Sequence, residues 1–189
     1  LVGSEMCIRD SGITISIVDD GLEIAHEDLT DNIAGGSWNF ANSSTDPSIP
    51  SSNTSGGHGT SIGGIIAAKA WNNIGVRGIA PNASIFGYNP LADESTGDES
   101  QYAQSLGVNP PGLKTADIYN MSYGMPYASG ETKYSLQSYL TSTNEAKFKN
   151  GVENFRDGKG AVYVKSAGNE FEENETAYCG TEYSCIEAI

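Results

Sequence analysis

The chain has 189 residues, with 24 acids against 10 bases, a net charge of −14 and 38% hydrophobic residues. That length suits one domain with a real core. No apolar run reaches the roughly 20 residues of a membrane span, and the acidic balance lacks the basic face a nucleic-acid partner would need. A cation binder, a partner for basic peptides or an exported protein all remain open.

The opening LVGSEMCIRD has no period and no ordered signal-peptide features. It reads as a non-native leader or sequencing artefact, so the domain is taken as residues 11–189. ITISIV (Ile13 to Val18) is a β-branched run ended by the turn DDG, hence a strand. A polar loop follows from about Asn32 to Gly57. From Thr60, the residues Ile62, Ile65, Ile66 and Ala70 recur at helical spacing. Gly63 and Gly64 weaken that helix by about 1 kcal/mol each. ASIFGY (Ala83 to Tyr88) is a second strand, ESQYAQSLG (Glu99 to Gly107) a short helix, and ADIYNMS (Ala116 to Ser122) a third strand. NEAKFKNGVENFRD (Asn144 to Asp157) is a helix and GAVYVKSAGN (Gly160 to Asn169) a fourth strand. Strands alternating with helices predict an α/β fold, a three-layer doubly wound parallel sheet, incomplete at its C-terminal end. Sites in such sheets form beyond the carboxyl ends of strands, where DD, NMSYG and AGNE fall.

Asp19 ends the first strand and His58 opens the first helix, amid glycines. A buried carboxylate beside a histidine fixes its tautomer and stabilises the imidazolium when it takes a proton. The other histidine, His26, reads as a turn residue, and two histidines without metal-ligand spacing make a poor zinc site. Cys179 and Cys185 fit a local disulfide in an oxidising compartment or two free thiols.

IVDDGLEIAHEDL, GGHGTSIGGIIAA and VKSAGNE, in this order, resemble the subtilisin-like serine proteases, the subtilases of peptidase family S8. The resemblance runs from about Gly12 to Asn169. It is nearest to the kexin- and furin-like proprotein convertases, through DDG, SLGVNPPGLKTADIYNMSYG and FKNGVENFRDGKGAVYVKSAGNE. It implies an Asp-His-Ser endopeptidase, secreted and monomeric, acting on polypeptides. Asp19 would be the triad aspartate, His58 the general base, and Asn169 a donor to the oxyanion. Ser122, Tyr123 and Gly124 would pair with substrate backbone and edge the primary pocket. Asp20 would face the substrate residue two before the cut.

The same resemblance implies a structural Ca²⁺ held by the side chains of Asp28 and Asn72 and the carbonyls of Lys69, Ile74 and Val76. Oxygen-only ligands suit that hard ion; a solvated Asn-rich turn is the plainer alternative. Two departures matter. The family's G-T-S nucleophile motif is expected well beyond AGN, so the chain reads as the N-terminal part of a catalytic domain. Met125, Pro126 and Tyr127 follow NMSYG where kexin-like members carry acids, and the first acid is Glu131, which weakens a strict dibasic requirement. A non-catalytic subtilase-like binding or scaffold module is the alternative function. A metal-dependent hydrolase using Asp19 and His58 as ligands is a third.

Overall fold

The computed structural model describes residues 10–49, 56–92, 104–106, 115–123 and 142–166. Gly124, Asn169 and the three cysteines lie outside the described residues, as does most of the helix expected over Glu99 to Gly107.

The strands are β1 (Thr14–Val18), β2 (Ser84–Tyr88), β3 (Ile118–Met121) and β4 (Val162–Lys165). They form one parallel sheet in the order β2-β1-β3-β4. Among the described residues two named helices join them: α1 (His58–Ala67) between β1 and β2, and α2 (Ser142–Gly158) between β3 and β4.

Period-2 alternation explains the layers. Ile15, Ile17 and Ile85 point to one face, where Ile62 and Ile66 of α1 meet them with Leu22 and Leu29. Val18, Phe86, Tyr88, Tyr119 and Met121 point to the other, where Phe148 and Phe155 of α2 cover them. Each fully buried Ile or Leu contributes about 1.5–3 kcal/mol by leaving water. The two crossovers run in opposite directions from the middle of the sheet. Right-handed connections then put α1 and α2 on opposite faces. The chain therefore switches direction between β1 and β3, which opens a crevice at their carboxyl ends. The expected α/β architecture with a parallel sheet is observed.

Three details differ from the sequence reading. First, the polar loop that begins at about Asn32 is anchored to the sheet. A 3₁₀ turn (Thr30–Asn32) leads into it, and Ile33 and Trp38 make parallel bridges to Ile85 and Tyr88. Its buried polar residues Asn32 and Ser37 are satisfied by backbone far along the chain: Asn32 Nδ2 donates to the carbonyls of Ala67 and Pro81, both at 2.8 Å, and Ser37 Oγ accepts from Gly87 N–H at 3.0 Å. Second, Ile65 is 59% exposed and Ala70 lies beyond the end of α1, so the buried stripe is narrower than expected. Third, α2 is broken near its end. Phe155 is extended and Arg156 and Asp157 take φ of +57°. The break lets Arg156 Nε donate to Asp117 Oδ1 at 2.8 Å and its Nη1 to the Gly160 carbonyl at 3.1 Å. Asp117 Oδ2 also accepts Thr14 N–H at 2.8 Å, so one carboxylate ties β1 and β3 to α2.

At the amino end, the Asp10 carboxylate accepts from Asn82 N–H at 3.0 Å. Asp10 is thus tied to the turn before β2.

Candidate active site

Asp19 leaves β1 at the switch point. Its N–H continues the ladder to the Tyr88 carbonyl at 3.0 Å, and its carbonyl accepts from Leu91 N–H at 3.4 Å. Both contacts fix the backbone that carries the carboxylate, which is 1% exposed. His58 stands at the first position of α1, after Gly57 at φ +110°, a conformation that favours glycine. Gly59 is required for a different reason. A Cβ there would fall 2.2 Å from the Gly21 carbonyl oxygen and 2.7 Å from Asp19 Cβ. The helix start is thus packed directly on the 19–21 segment.

This packing brings His58 Nδ1 within 2.8 Å of Asp19 Oδ1. An ionised carboxylate only accepts, so Nδ1 carries the proton and Nε2 is left with a lone pair. The imidazole side chain is 55% exposed while its partner is 1% exposed. The ring therefore has one end held in the protein and the rest open to solvent. Asp19 Oδ1 takes a second donor, Asp20 N–H at 2.8 Å, and Asp19 Oδ2 is buried without a hydrogen-bond partner.

The hydrogen bond to Asp19 pushes the His58 pKa above its ordinary 6.5, against a smaller opposing effect of burial. Burial pushes the Asp19 carboxyl above its ordinary 3.8, countered in part by the Asp20 N–H and by His58.

Asp20, expected to face the substrate residue two before the cut, sits against the start of α1. Its Oδ2 accepts the N–H groups of Gly57 and His58, each at 3.0 Å, and its Oδ1 accepts Gly59 N–H at 2.8 Å. Both oxygens are turned to the backbone of α1.

Ser122 and Tyr123 leave β3 beside Asp19, because Val18 of β1 is in register with Met121 of β3. Ser122 Oγ accepts from Asn120 Nδ2 at 2.9 Å. The Tyr123 carbonyl accepts from Lys165 Nζ at 2.7 Å and from Ser166 Oγ at 3.1 Å. Sequence reasoning missed Lys165. The one available signal was a lysine closing the apolar run of β4.

Asp28, Lys69, Asn72, Ile74 and Val76 come together on the far side of α1. Asp28 is 3% exposed. Its Oδ1 accepts from Asn72 Nδ2 at 2.7 Å, its Oδ2 from Val76 N–H at 2.9 Å, and its carbonyl from Lys69 N–H at 2.9 Å. Asn72 Oδ1 accepts from Ile74 N–H at 3.2 Å. Among the described residues no three His, Cys, Asp or Glu side chains cluster as metal ligands, so a cation here would have the Asp28 carboxylate and otherwise rely on amide and carbonyl oxygens. As placed, both Asp28 oxygens are taken by donors, and for these residues to hold Ca²⁺ the Asn72 amide must turn over and give up the Ile74 N–H bond. The amide oxygen would then face the Asp28 carboxylate, an arrangement a cation makes favourable.

Among the described residues no helix is long and apolar enough to cross a membrane.

Known proteins resemble this chain over most of its length. The model of the subtilase family (peptidase S8) matches residues 10–189. The chain is 39% identical over 165 residues to the Aeromonas extracellular serine protease of Aeromonas sobria, covering 87% of this chain and 25% of that protein. It is 39% identical over 163 residues to kexin of Saccharomyces cerevisiae, covering 86% of this chain and 19% of kexin. It is 35% identical over 170 residues to furin of Homo sapiens, covering 89% and 20%. The crystal structure of the Aeromonas sobria serine protease superposes with a TM-score of 0.70 at 38% identity, over 86% of this chain and 26% of that one. The chain spans a quarter or less of the length of these curated relatives. The chain belongs to the subtilase family of serine proteases.

Proposed function

We propose that these residues form the Asp-His limb of a serine endopeptidase, whose nucleophilic serine comes from a part of the protease beyond residue 189. The observation that carries this reading is the 2.8 Å contact from His58 Nδ1 to buried Asp19, with the ring half open to solvent. In the proposed mechanism, Nε2 takes the proton of the serine hydroxyl as the oxygen attacks the scissile carbonyl. The ring then carries a positive charge on both N–H groups, and Asp19 stabilises it. His58 returns the proton to the leaving amine, and a water repeats the cycle on the acyl-enzyme. By the subtilase resemblance, Ser122, Tyr123 and Gly124 would align the peptide and the Asn169 amide would donate to the oxyanion.

Ca²⁺, held by Asp28 and Asn72 with the carbonyls of Lys69, Ile74 and Val76, would stabilise the turn behind α1 and take no part in the reaction. Export from the cell and a monomeric state complete the reading, in keeping with the extracellular Aeromonas relative. A preference for Lys or Arg before the cut rests on the kexin-like resemblance and on the charge of −14, which attracts cationic peptides. A non-catalytic subtilase-like module would need none of this geometry to survive. The test is peptide hydrolysis by the complete protease. His58→Ala should lower kcat by at least about 10³-fold. Equal activity of the wild type and the variant would refute the reading.

A further inference from the structure

We propose that Asp20 is a positioning residue, which clamps the first turn of α1 and so fixes where His58 stands. Every α-helix begins with backbone N–H groups that lack partners. Gly57, at the cap position of α1, has no side chain to supply them. Asp20 supplies them from 37 to 39 residues away, accepting from Gly57 and His58 at 3.0 Å and from Gly59 at 2.8 Å. A negative charge is also favoured at a helix N-terminus, and bonds to an ionised acceptor are about twice as strong as neutral ones.

Consecutive residues thus grip one histidine at its two ends. Asp19 holds the ring and Asp20 holds the backbone beneath it. The Asp20 N–H donates to Asp19 Oδ1 at 2.8 Å, which links the two grips. The tight seat of Gly59 on Gly21 and Asp19 leaves no slack between them. The charge of Asp20 also helps to hold the His58 pKa up, behind the larger effects of Asp19. Misplacing a catalytic group by about 1 Å costs about 10²-fold in rate. Loosening this clamp should therefore act on the chemical step, whatever the substrate sequence.

The experiment compares wild-type complete protease with Asp20→Asn and Asp20→Ala. Two peptides are used, identical except for Lys or Ala two residues before the cut. The expected result is a fall in kcat by the same factor for both peptides, with KM little changed. The fall should be about 10- to 100-fold for Asp20→Ala and smaller for Asp20→Asn, which keeps one acceptor oxygen. Hydrogen exchange of the 56–62 segment, followed by mass spectrometry, should quicken in both variants. A loss confined to the Lys peptide and expressed in KM would overturn the proposal and return Asp20 to substrate recognition. So would unchanged exchange of that segment in the milder Asp20→Asn variant. Only the kinetic arm rests on the peptidase reading. If wild type cleaves neither peptide, that reading fails and exchange alone decides the role of Asp20.

Discussion

Replacing Asp19 by Asn separates the charge of the buried carboxylate from its shape. Asp19 Oδ1 accepts two hydrogen bonds, from the Asp20 N–H and the His58 Nδ1–H, both at 2.8 Å, while Oδ2 is buried without a partner. An asparagine has two ways to fit. With its oxygen at the Oδ1 position it keeps both bonds and buries an unpaired amide, at a cost of about 1–3 kcal/mol. Turned over, it sets an NH₂ against two donors and forces His58 into the tautomer with the proton on Nε2, where the serine proton must arrive. Neither way restores the negative charge that stabilises the imidazolium. The expected loss in kcat is about 10³- to 10⁴-fold, or about 4–5 kcal/mol of transition-state stabilisation.

Asp19→Asn should also lower the His58 pKa, because the hydrogen bond to Asp19 is the main cause of its rise. In the wild type, the rising limb of kcat/KM should lie above pH 6.5, since His58 must be neutral to act as a base. The asparagine variant should shift that limb to lower pH. Stability has the matching sign. A histidine whose pKa is raised by folding stabilises the native state fully below pH 6.5, and this contribution disappears as pH rises through the folded value. The assay is a pH–rate profile of both proteins, with the His58 titration followed by NMR; His26 is the one other histidine in the 189 residues. An unchanged His58 pKa together with an unchanged kcat in Asp19→Asn would refute the reasoning.

Two further predictions concern stability. Gly59→Ala must push the helix start away from Gly21 and Asp19 and should cost about 1–3 kcal/mol or more, whereas Gly64→Ala in the same helix meets nothing within 4 Å and should gain about 1 kcal/mol; denaturant unfolding checks both, and equal effects would contradict the packing described. Ca²⁺ at a hundredfold excess over its Kd should stabilise the complete protease by about 2.7 kcal/mol, and Asp28→Ala should abolish that gain; a wild-type melting temperature that ignores calcium would rule out the site.

The strands and the Asp19–His58 pair were legible because their signals are local or lie in short motifs. β-branched alternation set β1 and β2 to within one residue at their amino ends, and a histidine among glycines after a strand-ending DD marked the site. Three features were not legible, each for a physical reason. The 32–49 segment lacks hydrophobic periodicity because Asn32, Ser37 and Asn39 are buried through hydrogen bonds to backbone. The end of α2 is set by Arg156 reaching Asp117, a partner 39 residues away. The three N–H bonds to Asp20 depend on which backbone groups the fold brings against it, and no spacing in the sequence encodes that.

Whether His58 and Asp19 serve a serine nucleophile is read most directly by labelling the complete protease with a fluorophosphonate probe and mapping the modified residue by mass spectrometry. One serine outside these 189 residues should be labelled stoichiometrically, and His58→Ala should slow the labelling by orders of magnitude. Labelling of a serine within the 189 residues, or labelling that proceeds equally fast without His58, would contradict the account.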